Sequence, residues 1–350
     1  MKHGRYISML LCICLFILQG ARGQQTQSID FVFYNVENLF DVKDDPGTND
    51  EEFLPDGVKR WTYDRYQTKV DHIARVLVGI GKWELPALIG LCEVENAHVL
   101  YELAGHRLLE EADYTIIHRD SPDRRGIDVA LVYDPDVFTP LFRKWIGINF
   151  MQDPDILTRE ILYVKGLAMN DTLHIFINHW PSRWGGVEAS MPRRLHVAGI
   201  LKWHCDSILS NNRNASILIG GDFNDTPADS SIFSVLGAGP HTTCDKHELI
   251  NLMYPLHTSG QQGTLKYREN WEIYDQIIVS ANMLVSDKVQ IAGAEAFIYN
   301  AGYLLEDDER YLGKKPFRTY SGPRYHGGFS DHLPVYVRLV MMQEPEGTGH

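Results

Sequence analysis

The stretch "ILIGGDFNDTPADS" (residues 217–230) opens as a buried strand, Ile217-Leu218-Ile219, and breaks at Gly220-Gly221 into a polar cluster headed by Asp222, Asn224 and Asp225. Gly, Asn and Asp are turn-formers in their own right, because Gly reaches positive φ and the other two bond nearby backbone. Taken alone, the window reads as a strand exit as readily as an active site. What decides is whether other strands of the chain end in the same way.

They do. "IDFVFYN" (29–35) is an apolar run ending on Asn35, with Glu37 two residues on, and "PALIGLCE" (86–93) ends on Glu93. "LHIFINH" (173–179) closes on Asn178-His179, and "EIYDQIIVS" (272–280) carries Asp275 inside an apolar segment. "FSDHLPVYVRLV" (329–340) sets Asp331-His332 before the last strand, and "IDVALVYD" (127–134) has Asp128 near its start. Helices are predicted from Tyr63 to about Ile80, where Val70, Ile73, Val76, Leu77 and Ile80 recur at helical spacing, and from about Glu188 to Leu209. This order of elements predicts α/β layers with some antiparallel sheet. Loops at strand ends are where a sheet meets its ligands, and Asn35, Glu93, His179, Asp222, Asn224, Asp331 and His332 all fall there.

Carboxylates and amide oxygens without cysteine are hard ligands, suited to Mg²⁺, Mn²⁺ or Ca²⁺. Mg²⁺ keeps several waters, so the sparse set Asn35, Glu93 and Asp331 is sufficient for it. Such an ion would polarise a phosphoryl oxygen. His179 and His332 could bond a phosphate or move protons near neutral pH. Asp275 is the natural partner of His332, since a carboxylate in an apolar strand is costly unless paired. Asp128 could orient His179 in the same way, or pair with neighbouring Arg124 or Arg125. Glu37 reads as either a support of the site or a solvated acid.

The ordered set "YNVENLFD", "LCEVEN", "INHWPSRW", "GGDFND", "YDQIIVS" and "SDHLPV" spans almost all of the chain after its first residues. It resembles the endonuclease/exonuclease/phosphatase superfamily, which includes deoxyribonucleases, AP endonucleases, bacterial sphingomyelinases and inositol polyphosphate 5-phosphatases. The resemblance implies a four-layered α/β sandwich, with two mixed β-sheets packed face to face and helices outside. It also implies a divalent-metal phosphoesterase site at one edge of the sheets. By motif position, Glu93 would be the principal metal ligand, with Asn35 and Asp331 completing the site. Asp222 would orient or deprotonate the attacking water, Asn224 would hold phosphate or water, and His332, oriented by Asp275, would contact the scissile phosphate. His179 would be the second catalytic histidine, as in the deoxyribonuclease and sphingomyelinase branches. Arg183, in "HWPSRW", is a candidate phosphate contact.

Lys2 and Arg5 precede an apolar run from Tyr6 to Leu18, and Ala21-Arg22-Gly23 offers a cleavage site. The run is shorter than the roughly 20 residues of a membrane span. A signal peptide over 1–23, a catalytic domain over 24–342 and a polar tail over 343–350 are therefore expected, with export to the periplasm or beyond and no membrane anchor. Cys12 and Cys14 would leave with the leader. Cys92, Cys205 and Cys244 permit one disulfide at most and lack zinc spacing.

At 44% hydrophobic residues the chain can bury a sizeable core. A formal charge of −13, which loses only basic residues with the leader, opposes tight binding of a polyanion by charge alone. The expected substrate is a phosphodiester or phosphomonoester, met by a monomeric enzyme, with nucleic acid the leading candidate. The alternatives are a sphingomyelinase-like or sugar- or inositol-phosphate activity of the same site, and a catalytically silent secreted binding protein on this fold. The main basic segments are "RDSPDRR" (119–125), "MPRR" (191–194) and "LGKKPFR" (312–318). Trp61, Trp180, Trp184 and Trp271 would either line a groove or fill the core.

Overall fold

The computed structural model describes residues 28–341 apart from residues 83, 152 and 242–247. The expected leader and tail lie outside the described residues, as does Cys244.

Two seven-stranded sheets use the apolar runs of the sequence. The first takes β1 (Ser28–Leu39), β2 (Leu88–Val94), β3 (Thr115–Ile117) and β4 (Asp128–Tyr133) from the early chain. The second is built from β5 (Phe138–Ile146), β6 (Ile161–Ala168), β7 (Asp171–His179), β8 (Ser216–Asp222), β9 (Ala238–Gly239) and β10 (Leu249–Asn251). A hairpin of β11 (Leu265–Tyr267) and β12 (Asn270–Glu272) then leads to its last member, β13 (Asp275–Ser280). The chain returns to the first sheet with β14 (Val289–Ile291) and β15 (Phe297–Ile298). Two more hairpins follow, β16 (Leu305–Asp307) with β17 (Lys314–Pro316) and β18 (Tyr320–Ser321) with β19 (Arg324–Tyr325), before the closing strand β20 (Val335–Met341). The spatial orders are β14-β20-β1-β2-β4-β3, with β15 also on β20, and β5-β6-β7-β8-β13-β10-β9.

Both sheets are mixed. β1 runs parallel to β2 and β7 to β8. Parallel neighbours require a crossover, supplied here by α1 (Tyr63–Gly81), followed in the chain by the shorter α2 (Ala97–Ala104), and by α3 (Val187–Asn211). The side chains Val70, Ile73, Ala74, Leu77 and Ile80 of α1 join the large core that includes both sheets. Those of α3, among them Val197, Ala198, Leu201 and Cys205, pack on Ile217 and Ile219 of β8. Leu218, between them, turns to the inter-sheet core instead. Each such buried Leu or Ile contributes about 1.5–3 kcal/mol, so the alternation fixes which face of β8 meets the opposite sheet.

The same alternation explains Gly220. It faces Phe31 and Phe33 of β1, and a Cβ there would come within 2.7 Å of Phe31 Cζ. At Gly221 a Cβ would stand 2.6 Å from Asn178 Cβ on β7. The two glycines are therefore packing residues inside a strand that runs on to Asp222, where the sequence alone suggests a strand that stops before them. The left-handed turn residue is Asn224, with φ 51°. Edge strand β5 escapes the sequence pattern because much of it is exposed and Pro140, Arg143 and Lys144 interrupt its apolar residues. Among the described residues no helix is long and apolar enough to cross a membrane, and Cys92 and Cys205 are buried and free.

Candidate active site

Strand register builds the site. In the second sheet His179 on β7 pairs with Asp222 on β8, which pairs in turn with Asp275 on β13. Each has the parity of an inward neighbour, Ile177, Gly220 and Ile277, so all three side chains point between the sheets. Asn35 extends the inward face of Phe31 and Phe33 on β1. The inter-sheet core thus ends in polar groups at one edge.

Glu93 reaches this edge differently. Gly90 faces Ile177 across the sheets, so alternation would point Cys92 inward and Glu93 outward. β2 instead shifts register between Cys92 and Val94, with Glu93 at φ 61°. A bulge of this kind re-aims a side chain, here toward Asn35, whose Nδ2 donates to Glu93 Oε1 at 3.2 Å and to Asp222 Oδ2 at 3.0 Å. Glu93 Oε2 accepts the Asn38 N–H at 3.0 Å. The Asn35 Oδ1 accepts the Glu37 N–H at 3.0 Å, which fixes the amide so that its NH₂ bridges acids from the two sheets.

Two histidines flank Asp222. His332 Nδ1 donates to Asp275 Oδ2 at 2.7 Å, and its Nε2 lies 3.8 Å from Asp222 Oδ2. His179 Nε2 lies 3.7 Å from the same oxygen and 3.8 Å from Glu93 Oε1. The other oxygen of Asp222 accepts the Asn224 N–H at 3.0 Å. The environment drives the three groups to different charge states. Burial, with Asp275 adding to it against the pull of His332, pushes Asp222 up to about 6. Burial opposes a charge on His332, but Asp275 and Asp222 outweigh it and hold the imidazolium well above its ordinary range. Burial and the fields of Arg159 and Arg125 hold His179 well below its own. Near neutral pH one histidine is a cation and the other is neutral.

A second network lies behind Asp331. Burial would raise its carboxyl, but Arg318, His332 and Lys69 hold it below the usual range, and Arg318 Nη2 donates to Asp331 Oδ2 at 2.7 Å. Glu37 is buried, not solvated, and accepts the Thr319 N–H at 2.7 Å and Arg318 Nε at 3.4 Å. Lys69, buried on α1, donates to Thr319 Oγ1 and Phe329 O, both at 2.6 Å. Burial pulls its ammonium down to about 8. The sequence reading gave no role to Lys69 or Arg318. Lys69 does leave a signal, since it shares the helix face of Ile73, Val76 and Ile80.

Arg183 and Asp128 take partners that the sequence does not show. Arg183 donates from Nε to Asn224 O at 2.7 Å and from Nη2 to Asp225 Oδ1 at 2.9 Å and Asp229 Oδ2 at 2.7 Å. Its guanidinium thus braces the loop after β8 through Nε and Nη2, with 23% of the side chain still exposed. Asp225 is buried and also meets Arg194 Nε at 2.8 Å. Asp128 pairs with neither His179 nor Arg124 or Arg125. It meets His118 Nε2 and the Ser121 N–H, each at 2.8 Å, because the segment leaving its sheet neighbour β3 reaches it first. Asn224 Nδ2 donates to Trp180 O at 3.1 Å, tying the β7 and β8 exits together. Trp61 and Trp180 are core residues, whereas Trp184 is 87% exposed.

The donor atoms suit a hard cation. Glu93 keeps 17% of its side chain exposed beside the deeply buried Asp222, so it can meet a hydrated ion. Asp222, Asp275 and His332 also offer atoms within 4.8 Å of one another. The bond between His332 and Asp275, however, uses an atom from two of those three.

The model of the endonuclease/exonuclease/phosphatase family matches residues 30–341, nearly all that the structure describes. The chain belongs to this family. Endonuclease/exonuclease/phosphatase members are phosphoester hydrolases, and the chain is accordingly a hydrolase of ester bonds. Its fold is shared with a mannosyl-6-phosphatase of Bacteroides thetaiotaomicron, at 16% identity and TM-score 0.55 over 89% of this chain and 99% of that one. Truncated TDP2 of Caenorhabditis elegans has 14% identity and TM-score 0.54 over 89% and 97%. The human Nocturnin catalytic domain with bound sulfate has 14% identity and TM-score 0.52 over 90% and 95%. At such identities the likeness is one of fold. No curated protein sequence matches the chain.

Proposed function

We propose that the chain is an exported, divalent-metal-dependent phosphodiesterase of nuclease type that hydrolyses its substrate by in-line attack of water. The observation that carries this reading is the meeting of His332 and His179 on Asp222, whose Oδ2 lies 3.8 Å from one Nε2 and 3.7 Å from the other. Asp222, titrating at about 6, accepts the proton of the attacking water at neutral pH. His332, fixed through Nδ1 by Asp275, offers its Nε2–H to a phosphate oxygen on which charge develops. His179, uncharged, offers a second hydrogen bond from Nε2, which lies 3.7 Å from the same Asp222 oxygen. Asn224 retains one amide N–H for phosphate or water after its bond to Trp180.

Glu93 would hold the cation with Asp331 supporting it, and the oxygen donors suit Mg²⁺, with Mn²⁺ or Ca²⁺ as substitutes. When bound, the ion supplies Lewis-acid polarisation of a phosphoryl oxygen. Asn35 holds Glu93 and Asp222 at one distance through its Nδ2, and its oxygen, which accepts the Glu37 N–H, keeps a second lone pair for the ion.

A panel of DNA, RNA, bis-p-nitrophenyl phosphate, sphingomyelin and sugar and inositol phosphates, assayed with Mg²⁺, Mn²⁺ or Ca²⁺ and with EDTA, tests the reading. Metal-dependent cleavage of nucleic acid and of the model diester is expected. Turnover of monoesters or sphingomyelin alone would transfer the same site to another substrate, and no turnover with any ion would contradict the assignment.

A further inference from the structure

The basic segments of the chain are divided between two places. Arg318 belongs to the site and Arg194 is buried against Asp225, yet Arg124, Arg125 and Arg193 meet in a neighbouring cleft of about 470 Å³. Arg159 and Asp123 also line it. The cleft adjoins the catalytic edge, because Arg159 Nη2 donates to the carbonyl of Trp180, the residue after His179, at 2.7 Å. Pro181 and Ser182 continue its wall from there.

Charge in the cleft runs against that of the whole chain. Four arginines and two acids, Asp123 and Asp155, line it, with Arg159 buried on Asp123 and Trp180, and Arg193 at 3.9 Å from Asp153, in a molecule of net charge −13. Asp123 is already engaged by Arg159 at 2.8 Å and Arg125 at 3.2 Å. Trp184 lies on the rim at 87% exposure. Gly185 and Gly186 follow it at φ 83° and 107°, a turn that L side chains rarely allow. Guanidinium forks match phosphate oxygens, and an exposed indole matches the face of a base. Ile156, Leu157 and Pro181 also line the cleft, but they share it with four arginines and two acids, whereas a lipid would require a contiguous apolar surface.

We propose that this cleft binds the nucleotide unit next to the scissile phosphate, its phosphate on Arg124, Arg125 and Arg193 and its base stacked on Trp184. The inference rests on the nuclease-type reading above and deepens it by naming the subsite that takes the unit beside the scissile bond, with a phosphate on each side of it.

Two measurements on the full chain test it with Trp184→Ala and the double variant Arg124→Ala/Arg193→Ala. The first is binding of a 5′-phosphorylated thymidine dinucleotide in EDTA, where no turnover occurs. The second is the ratio of kcat/KM for an oligonucleotide to that for bis-p-nitrophenyl phosphate, which has neither base nor second phosphate. Trp184→Ala is expected to weaken binding and lower the ratio by about tenfold, chiefly through KM, and the arginine variant to flatten the salt dependence of binding. Unchanged dinucleotide binding in both variants, or an equal loss on both substrates, overturns the proposal. Should the unaltered protein cleave neither the oligonucleotide nor the model diester, the phosphodiesterase reading fails, and the binding comparison alone decides on the cleft.

Discussion

At the scale of single residues, the charge of His332 is set by Asp275, 2.7 Å from Nδ1, and by Asp222, 3.8 Å from Nε2. Asp275→Asn removes the nearer charge and the fixed orientation of the ring. We expect kcat to fall by about 10²–10⁴-fold and the alkaline limb of the pH–rate profile to move to lower pH. A profile of unchanged shape would detach the charge of His332 from catalysis. Glu95 makes a separate prediction about stability. Burial, helped by Asp41, Asp50 and Asp45 and opposed by the Asp41 N–H, raises its carboxyl from 4.5 to about 8. The folded protein therefore holds this proton between those pH values and the unfolded chain does not. The stabilisation is complete below pH 4.5 and is lost as pH rises through 8. Glu95→Gln should raise Tm by a few degrees at pH 8 and leave it nearly unaltered at pH 4.5, in a thermal melt at both. The partner of Asp275 could be found in the sequence because a carboxylate in an apolar strand must be paired. That of Asp128 could not, since it depends on where His118 leaves β3.

At the scale of elements, the site is a property of strand ends in register. His179 and Asp222 are paired across β7 and β8, and Gly221 lets those strands approach at Asn178. Gly221→Ala places its Cβ against the backbone as well as the side chain of Asn178. It should destabilise the fold by about 1–3 kcal/mol in urea unfolding. Strand and helix existence was legible from periodicity, and α1 and α3 lie within two residues of their expected ends. The bulge at Glu93 was not, because apolar alternation carries no mark of a left-handed residue that reverses it. Nor was the brace of Arg183 on Asp225 and Asp229, which joins side chains about forty residues apart in the sequence and depends on the tertiary path of both loops.

At the scale of the whole molecule, two sheets with one polar edge place acids from both halves of the chain around Asp222, while the net negative charge is interrupted by one arginine-lined cleft beside them. The order of six motifs made the architecture legible, whereas the cleft required the fold to unite residues 124, 125, 159 and 193. The central claim is that Asp222 is the proton acceptor of a metal-dependent hydrolysis. The measurement that tests it most directly is the pH–rate profile of bis-p-nitrophenyl phosphate hydrolysis with Mg²⁺ or Mn²⁺, for the unaltered protein and for Asp222→Asn. The account predicts turnover that EDTA abolishes, an acid limb near pH 6, and a loss of about 10²–10⁴-fold in the variant. A variant that retains the full metal-dependent rate and the same acid limb would contradict it.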